Sequence, residues 1–323
     1  MSTRSGLAIA AAIVALAASV QAQPRSYPDR TVTLVVPIAP GGGVDAIARV
    51  FAEKLRDRLG QSVVVENKVG AGGMIGADFV AKSPPDGHTL LLTTTSEALV
   101  KWLQRNVPFD VVADLAPIAE LAQAPMLLLV NPSLPVKTVG EFIDYAKANP
   151  GKLSYGTPGV GTPHQLVGEM LKRAAGIDLL HVPYRGSGPS LNGLLANQIP
   201  AIFAASIAVM PFIEAGKVRV LATAGDKRPP ILPDVPTLAE SGFPLIDITT
   251  WFGVAAPAPT PVPIIERLNR ELKAVAEIPD VRQRLTAQGF TVTVSSPEEF
   301  RRAIASRHER YGRIIADVGL KAE

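Results

Sequence analysis

The sequence predicts an α/β protein of two lobes, and three observations carry that expectation. Short β-branched runs such as Thr31–Ile38 alternate with stretches of helical spacing through the body of the chain. Strands separated by helices imply parallel βαβ units and a sheet covered on both faces. The chain has 323 residues, about twice the usual length of one domain. Glycine-rich segments at Pro40–Gly43, Gly70–Gly73 and Thr157–Thr162 each fall where a strand hands over to a helix. In open sheets, ligands bind at such carboxyl ends of strands.

The chain opens on an address. Arg4 supplies a positive charge, and Gly6 to Ala18 is an apolar run. That run is too short to cross a bilayer core of about 30 Å as a helix. Val20-Gln21-Ala22 places small residues where a signal peptidase reads them. Residues 1–22 are therefore expected to be a signal peptide cleaved after Ala22, leaving Gln23 first. Export of a chain without cysteine suits a bacterial periplasm, where disulfides are permitted but not required. No later stretch reaches about eighteen consecutive apolar residues, so the mature chain is expected to stay out of the membrane.

Thr31–Ile38 reads as a buried strand ended by Pro40-Gly41-Gly42-Gly43. Ile47, Val50, Phe51, Leu55 and Leu59 then fall at helical spacing, with Arg49, Lys54, Arg56 and Arg58 between them. Gly60 stops that helix. Ser62–Glu66 is the next strand, followed by the Gly70–Gly73 loop, a helical stretch to Lys82 and a strand at Thr89–Thr93. Beyond a composition break near Gln123–Pro125, strands are expected at Met126–Val130, Leu153–Thr157, Leu179–Tyr184, Ile199–Ala204 and Val218–Ala222. Helices fit Val139–Ala148, Gln165–Ala175 and Ser190–Ala196. A second break near Thr249–Trp251 precedes a strand at Thr249–Ala256, the rigid Pro257–Pro263 stretch, and helices at Ile264–Ala276 and Pro297–Val318. The two breaks assign residues 24–124 and 251–323 to one lobe and 125–250 to the other.

Composition and motifs remove most chemistries. Lys plus Arg is 32 and Asp plus Glu is 29, a net charge of +3, with no run of five like charges. Nucleic-acid binding has no support there. The absence of cysteine removes disulfides, thiolate metal sites and Cys nucleophiles. There is no G-x-S-x-G elbow and no phosphate loop. The dinucleotide fingerprint fails, because Gly70-Ala71-Gly72-Gly73-Met74-Ile75 has Ile where the third glycine belongs, and Gly159-Val160-Gly161 leads into Thr162-Pro163-His164. The four histidines, His88, His164, His181 and His308, form no H-E-x-x-H pair and no local cluster, so no metal or other cofactor is expected. His308, in the charged terminal helix, is expected at the surface. What remains is backbone chemistry. The first N–H groups of a helix lack internal partners and carry the positive end of its dipole. Glycine lets a ligand approach them, so such junctions are natural carboxylate or phosphate sites.

Segments in fixed order carry a family likeness. They begin with Tyr27-Pro28-Asp29-Arg30, then Val35-Val36-Pro37-Ile38-Ala39-Pro40-Gly41-Gly42-Gly43-Val44-Asp45-Ala46. Leu59-Gly60-Gln61-Ser62-Val63-Val64-Val65-Glu66-Asn67, Gly70-Ala71-Gly72-Gly73-Met74-Ile75-Gly76 and Pro85-Asp86-Gly87-His88-Thr89-Leu90 follow. Later come Ala148-Asn149-Pro150-Gly151-Lys152-Leu153-Ser154-Tyr155-Gly156, His181-Val182-Pro183-Tyr184-Arg185-Gly186 and Leu232-Pro233-Asp234-Val235-Pro236-Thr237. Together they resemble the Bug (TctC-like) family of periplasmic solute receptors that serve tripartite tricarboxylate transporters. The resemblance implies a type II periplasmic-binding-protein fold, with two α/β lobes joined by two crossover strands and closing on a small organic carboxylate. It implies no enzyme activity, membrane transporter subunits as partners, and a monomer. The ligand would rest on Pro40, Gly41, Gly42, Gly43 and Asp45, on Ala71, Gly72 and Gly73, and near Thr93. From the second lobe it implies Thr157, Gly161, Thr162, His164, Tyr184 and Ser206. Asp45 is expected to organise its turn rather than touch an anion, since like charges repel.

The chain departs from the family pattern at four places. His88 replaces the tyrosine of P-D-G-Y-T-L. Gln165 stands where G-[ST]-x-x-H-L has histidine, with His164 one position earlier. Gly193 and Pro200 replace the two aspartates of P-A-L-x-D-L-L-x-G-Q-V-D. These changes bear on the choice of ligand and leave the first lobe's anion site intact. Two other roles stay open at this point: a ligand sensor for a membrane signalling partner, and a periplasmic hydrolase using His164 or His181.

Overall fold

The structure, a computed structural model, describes residues 27–320. The expected signal peptide 1–22, its cleavage point and the start at Gln23 lie outside the described residues. So do residues 24–26 and 321–323 of the expected first lobe.

The chain first lays down β1 (Val32–Val36), β2 (Val63–Asn67), β3 (Thr89–Thr94) and β4 (Leu115–Ala124). It crosses into a second sheet of β5 (Met126–Val130), β6 (Ser154–Thr157), β7 (Leu180–Pro183), β8 (Ala201–Ala205) and β9 (Arg219–Thr223). It then returns as β10 (Thr250–Pro257) and β11 (Thr291–Val292). The strand orders are β11-β4-β10-β3-β1-β2 and β7-β6-β8-β5-β9. Helices between the early strands are α1 (Gly43–Leu59), α2 (Met74–Ala81) and α3 (Thr95–Leu103). Those of the middle segment are α4 (Val139–Ala148), α5 (Pro163–Ala175), α6 (Ser187–Leu195) and α7 (Ser206–Glu214). The last three are α8 (Val262–Ala276), α9 (Pro279–Ala287) and α10 (Pro297–Val318).

Both sheets are mixed rather than purely parallel. β1 pairs in parallel with β2 and β3, and β6 with β7 and β8. β10 runs antiparallel between β3 and β4, and β5 antiparallel between β8 and β9. The parallel expectation applies to strands joined by a helical crossover. It fails for the strands that carry the chain between sheets. β4 and β5 are one extended run interrupted only at Pro125, so β5 enters the second sheet from the opposite end.

Alternation along each strand covers both faces. Val32, Leu34 and Val36 pack with Ile47, Phe51 and Leu55 of α1 and with Leu268 and Leu272 of α8. Val35 belongs to the opposite face, with Val80, Leu99, Phe300 and Ile304. In the second sheet Leu127 and Leu129 meet Leu191, Leu194 and Val209. Met126, Leu128 and Val130 face Phe142, Leu166 and Leu171. That last face is continuous with the α3 and α10 side of the first sheet, so one core runs beneath both sheets.

His308 is not at the surface. It is 8% exposed, with Nδ1 2.8 Å from the Ala98 carbonyl and its ring 5.1 Å from that of Trp102. Ile304, His308, Tyr311 and Ile315 share the stripe by which α10 packs on α3 and β4, and helical spacing outweighs the charge of the segment around it. No described helix is long and apolar enough to cross a membrane.

Candidate functional site

The first turn of the site is built by Pro40–Asp45, between β1 and α1. Gly42 is the N-cap of α1, and no side chain caps that helix. Asp45 is turned inward and fully engaged. Its Oδ2 accepts from the Gly41 amide at 3.0 Å and from Arg49 Nε at 2.8 Å, and its Oδ1 accepts from Asn67 Nδ2 at 3.0 Å. Burial alone would raise its pKa. The hydrogen bonds from Arg49, Gly41 and Asn67 outweigh this and hold the carboxyl below its usual range. Asp45 therefore pins the turn while leaving the helix terminus itself uncapped.

The second turn follows β2. Gly70, Ala71, Gly72 and Gly73 have φ of 145°, 48°, 66° and 105°. Four successive residues with positive φ roll the backbone into a tight cup, and successive N–H groups in such turns form anion-binding concavities. Ala71 is the costly member, because a side chain in the left-handed region is disfavoured by about 1–2 kcal/mol. Gly73 is forced to be glycine a second time, since a β-carbon there would lie 2.4 Å from Glu97 Oε1.

Parts of the second segment close around these turns. Ile207, in the first turn of α7, packs on Gly43 so closely that a β-carbon on Gly43 would fall 2.4 Å from its Cδ1. Gln104 bridges both sides, its Nε2 lying 3.6 Å from a β-carbon on Gly72 and 3.7 Å from one on Gly161. Thr162 caps α5 through the Gln165 amide, and its hydroxyl donates to the Gly159 carbonyl at 2.8 Å. Gln165 Oε1 accepts from the Gly161 amide at 2.8 Å. The departure at Gln165 thus occupies a backbone donor of the turn before α5. The departure at Gly193 makes room for Tyr184, whose hydroxyl would be 2.4 Å from a β-carbon at that position. His88 is placed at the far end of β3, between Asp29 and Asp86 at 3.3 and 3.2 Å.

Other expected residues take supporting places. Ser206 is fully buried, and its hydroxyl donates to the Gly289 carbonyl at 3.1 Å, linking α7 to the loop before β11. Thr93 is fully buried, with its hydroxyl beside the Glu97 carboxyl. His164 is only partly buried as a residue, yet its Nδ1 is sealed without a partner, and desolvation holds its pKa down to about 4. Thr157 Oγ1 lies 2.7 Å from His181 Nε2, within reach for a nucleophile and base. Thr157 is fully buried, however, and its hydroxyl donates to the Gly159 carbonyl at 3.1 Å, so the pair holds the turn. No group of three acidic or imidazole side chains among the described residues could hold a metal ion. A surface hollow lined by Lys137, Thr138, Val220 and Asp234 includes none of the expected residues.

Glu97, Gln104 and Ile207 were not anticipated. A signal existed for the first: Thr94-Thr95-Ser96-Glu97 is a capping box directly after a strand. Gln104 and Ile207 have no such local signature, since their place depends on how the two sheets meet.

A family model described as tripartite tricarboxylate transporter family receptor matches residues 47–320, and the chain belongs to that family. It is 36% identical over 312 residues to protein BugT of Bordetella pertussis, covering 96% of this chain and 95% of the relative. Among solved structures, Rhodopseudomonas palustris Rpa4515 with adipate superposes with a TM-score of 0.87 at 34% identity, covering 92% of this chain and all of that one. MatC from the same organism, with bound malate, gives 0.81 at 32% identity, covering 90% of this chain and all of that one. The fold is that of the type II periplasmic binding proteins, and the chain is a solute-binding protein of the Bug type.

Proposed function

We propose that the chain is a periplasmic receptor that captures a small organic carboxylate between two lobes and delivers it to a tripartite tricarboxylate-type membrane transporter. The lobes divide as residues 24–124 with 251–323, and 125–250. The observation that carries this reading is the pair of glycine turns at Gly42 and Gly72. Neither Pro40–Asp45 nor Gly70–Ile75 contains Lys or Arg. Helix amides and their dipole supply the positive potential there, each contribution being about 0.3–2 kcal/mol. The adipate and malate held by the two solved relatives are both dicarboxylates, which supports the ligand class. A ligand touching both lobes only when they are closed favours closure by that difference in affinity.

A thermal-shift screen of organic acids on the purified mature chain tests the reading. A true ligand at 100 times its Kd stabilises by about 2.7 kcal/mol. A set of mono-, di- and tricarboxylates that leaves the melting temperature unmoved would reject it.

A further inference from the structure

Glu97 lies in the first turn of α3 and is 2% exposed. Its Oε2 is fully used, accepting from the Thr94 amide at 2.6 Å and the Thr94 hydroxyl at 2.9 Å. Its Oε1 is buried against Gly73, directly beneath the Gly70–Gly73 turn. The buried Thr93 hydroxyl, on the adjoining strand, is a hydrogen-bonding neighbour of this carboxyl. A buried carboxylate is costly without a counter-charge, and this one has only hydrogen-bond donors and no cation.

We propose that Glu97 sets the charge its neighbouring turn accepts: with its proton it leaves the Gly70–Gly73 cup open to an anion, and without it a buried negative charge beneath Gly73 drives an anion out. The proposal rests on reading that turn as part of the carboxylate site. Capture of the ligand and uptake of a proton then become one linked event, and the linkage is reciprocal.

The surroundings bring no cation to Glu97. β3, β10 and the 71–73 turn carry no ionisable side chain. Lys101 of α3 itself pairs with Asp110, and Lys68 before the turn pairs with Glu66. From α2, Asp78 pairs with Lys82. From α10, His308 turns Nδ1 to the Ala98 carbonyl, Arg307 pairs with Glu120 and Arg310 with Asp247. From α5, His164 is held neutral by burial, and Glu169 pairs with Lys172. Burial accordingly pushes the Glu97 carboxyl up to about 7, against the lowering effect of the Thr94 amide and hydroxyl, the Glu97 amide and the Thr93 hydroxyl. With the folded pKa above the unfolded one, the folded chain holds a proton that the unfolded chain has lost. The contribution of Glu97 to stability is therefore full below the ordinary value of 4.5 and is lost as pH rises through about 7.

Titration calorimetry with malate and adipate as probes, at pH 6, 7 and 8 in two buffers of different ionisation heat, counts the protons. Binding to the parent should take up close to one proton at pH 8, and affinity should fall about tenfold from pH 6 to pH 8. Glu97→Gln keeps the neutral shape, so it should bind with no proton uptake and flat affinity. Should that variant fail to fold, the carboxyl ¹³C signal of Glu97 in the parent serves instead, and its midpoint should rise when ligand is added. Tight binding to the parent with flat affinity and no proton uptake overturns the proposal alone, as does proton uptake that persists in Glu97→Gln. Failure of both acids to bind at any of the three pH values overturns the proposal together with the carboxylate reading of the site.

Discussion

Asp45 and Gly42 share one turn and divide its work. Asp45 organises the backbone from inside, and Gly42 keeps the helix terminus bare. Asp45→Asn should cost about 1.5–3 kcal/mol at pH 7, the scale of hydrogen bonds to a charged group. Because folding lowers this pKa, the contribution is full above the ordinary value of 3.8 and is lost as pH falls through the lower folded value. Melting curves of parent and variant should therefore differ at pH 7 and converge in acid, and a gap that widens in acid would reject the assignment. A β-carbon on Gly42 meets nothing within 4 Å, so Gly42→Asp fits the fold. It places bulk and negative charge where a carboxylate would rest. Calorimetry with the best acid from the screen should show binding abolished in a protein that still melts cooperatively. Unchanged affinity would move the site elsewhere.

Elements whose own spacing decides them were legible from the sequence. Val139–Ala148 and Pro297–Val318 occupy the predicted residues, because each has an N-cap and an unbroken apolar stripe. Other elements were hidden for identifiable reasons. α3 follows β3 without a turn, so Thr93, Thr94 and Thr95 blur strand into helix. β4 carries Pro117 and four alanines and follows neither period. α7 holds Pro211 inside it. The candidate site was legible where glycine turns form it, and hidden where Gln104 and Ile207 reach it from elements packed by tertiary contact. Two packing predictions belong at this scale. Trp251 on β10 is 1% exposed, with Phe300 edge-on at 5.5 Å and the Arg307 guanidinium 5.5 Å above its ring. Trp251→Ala should cost about 3–5 kcal/mol by denaturant unfolding, the usual range for emptying an aromatic core position. Arg307 also holds the buried Glu120 at 2.5 Å. Arg307→Ala should cost about 2 kcal/mol, below the range for a fully sealed pair because the arginine keeps partial exposure. A loss under a few tenths of a kcal/mol in either variant would refute the packing argument.

Across the molecule, the absence of cysteine lets two dyes be placed at chosen sites, which tests the proposed closure. Val64 on β2 and Leu180 on β7 are exposed apolar residues on edge strands of the two sheets. Dyes on Val64→Cys and Leu180→Cys should report a change in energy transfer when a saturating carboxylate is added. Constant transfer under tight binding would rule out closure. The strand order has a further consequence, which concerns the timing of synthesis. β10 lies between β3 and β4, with Phe252 opposite Thr94 on one side and Ala122 on the other. The first sheet therefore has a hole at its centre until Thr250–Pro257, well into the last third of the chain, has left the ribosome. A fragment ending at residue 124 has β3 and β4 but nothing to join them, and it should give the circular dichroism of an unfolded chain. The second sheet draws all its strands from residues 126–223 and is free of this dependence. The longest-range pairing of the first sheet thus waits for a strand that is made late, which makes its assembly the slow step.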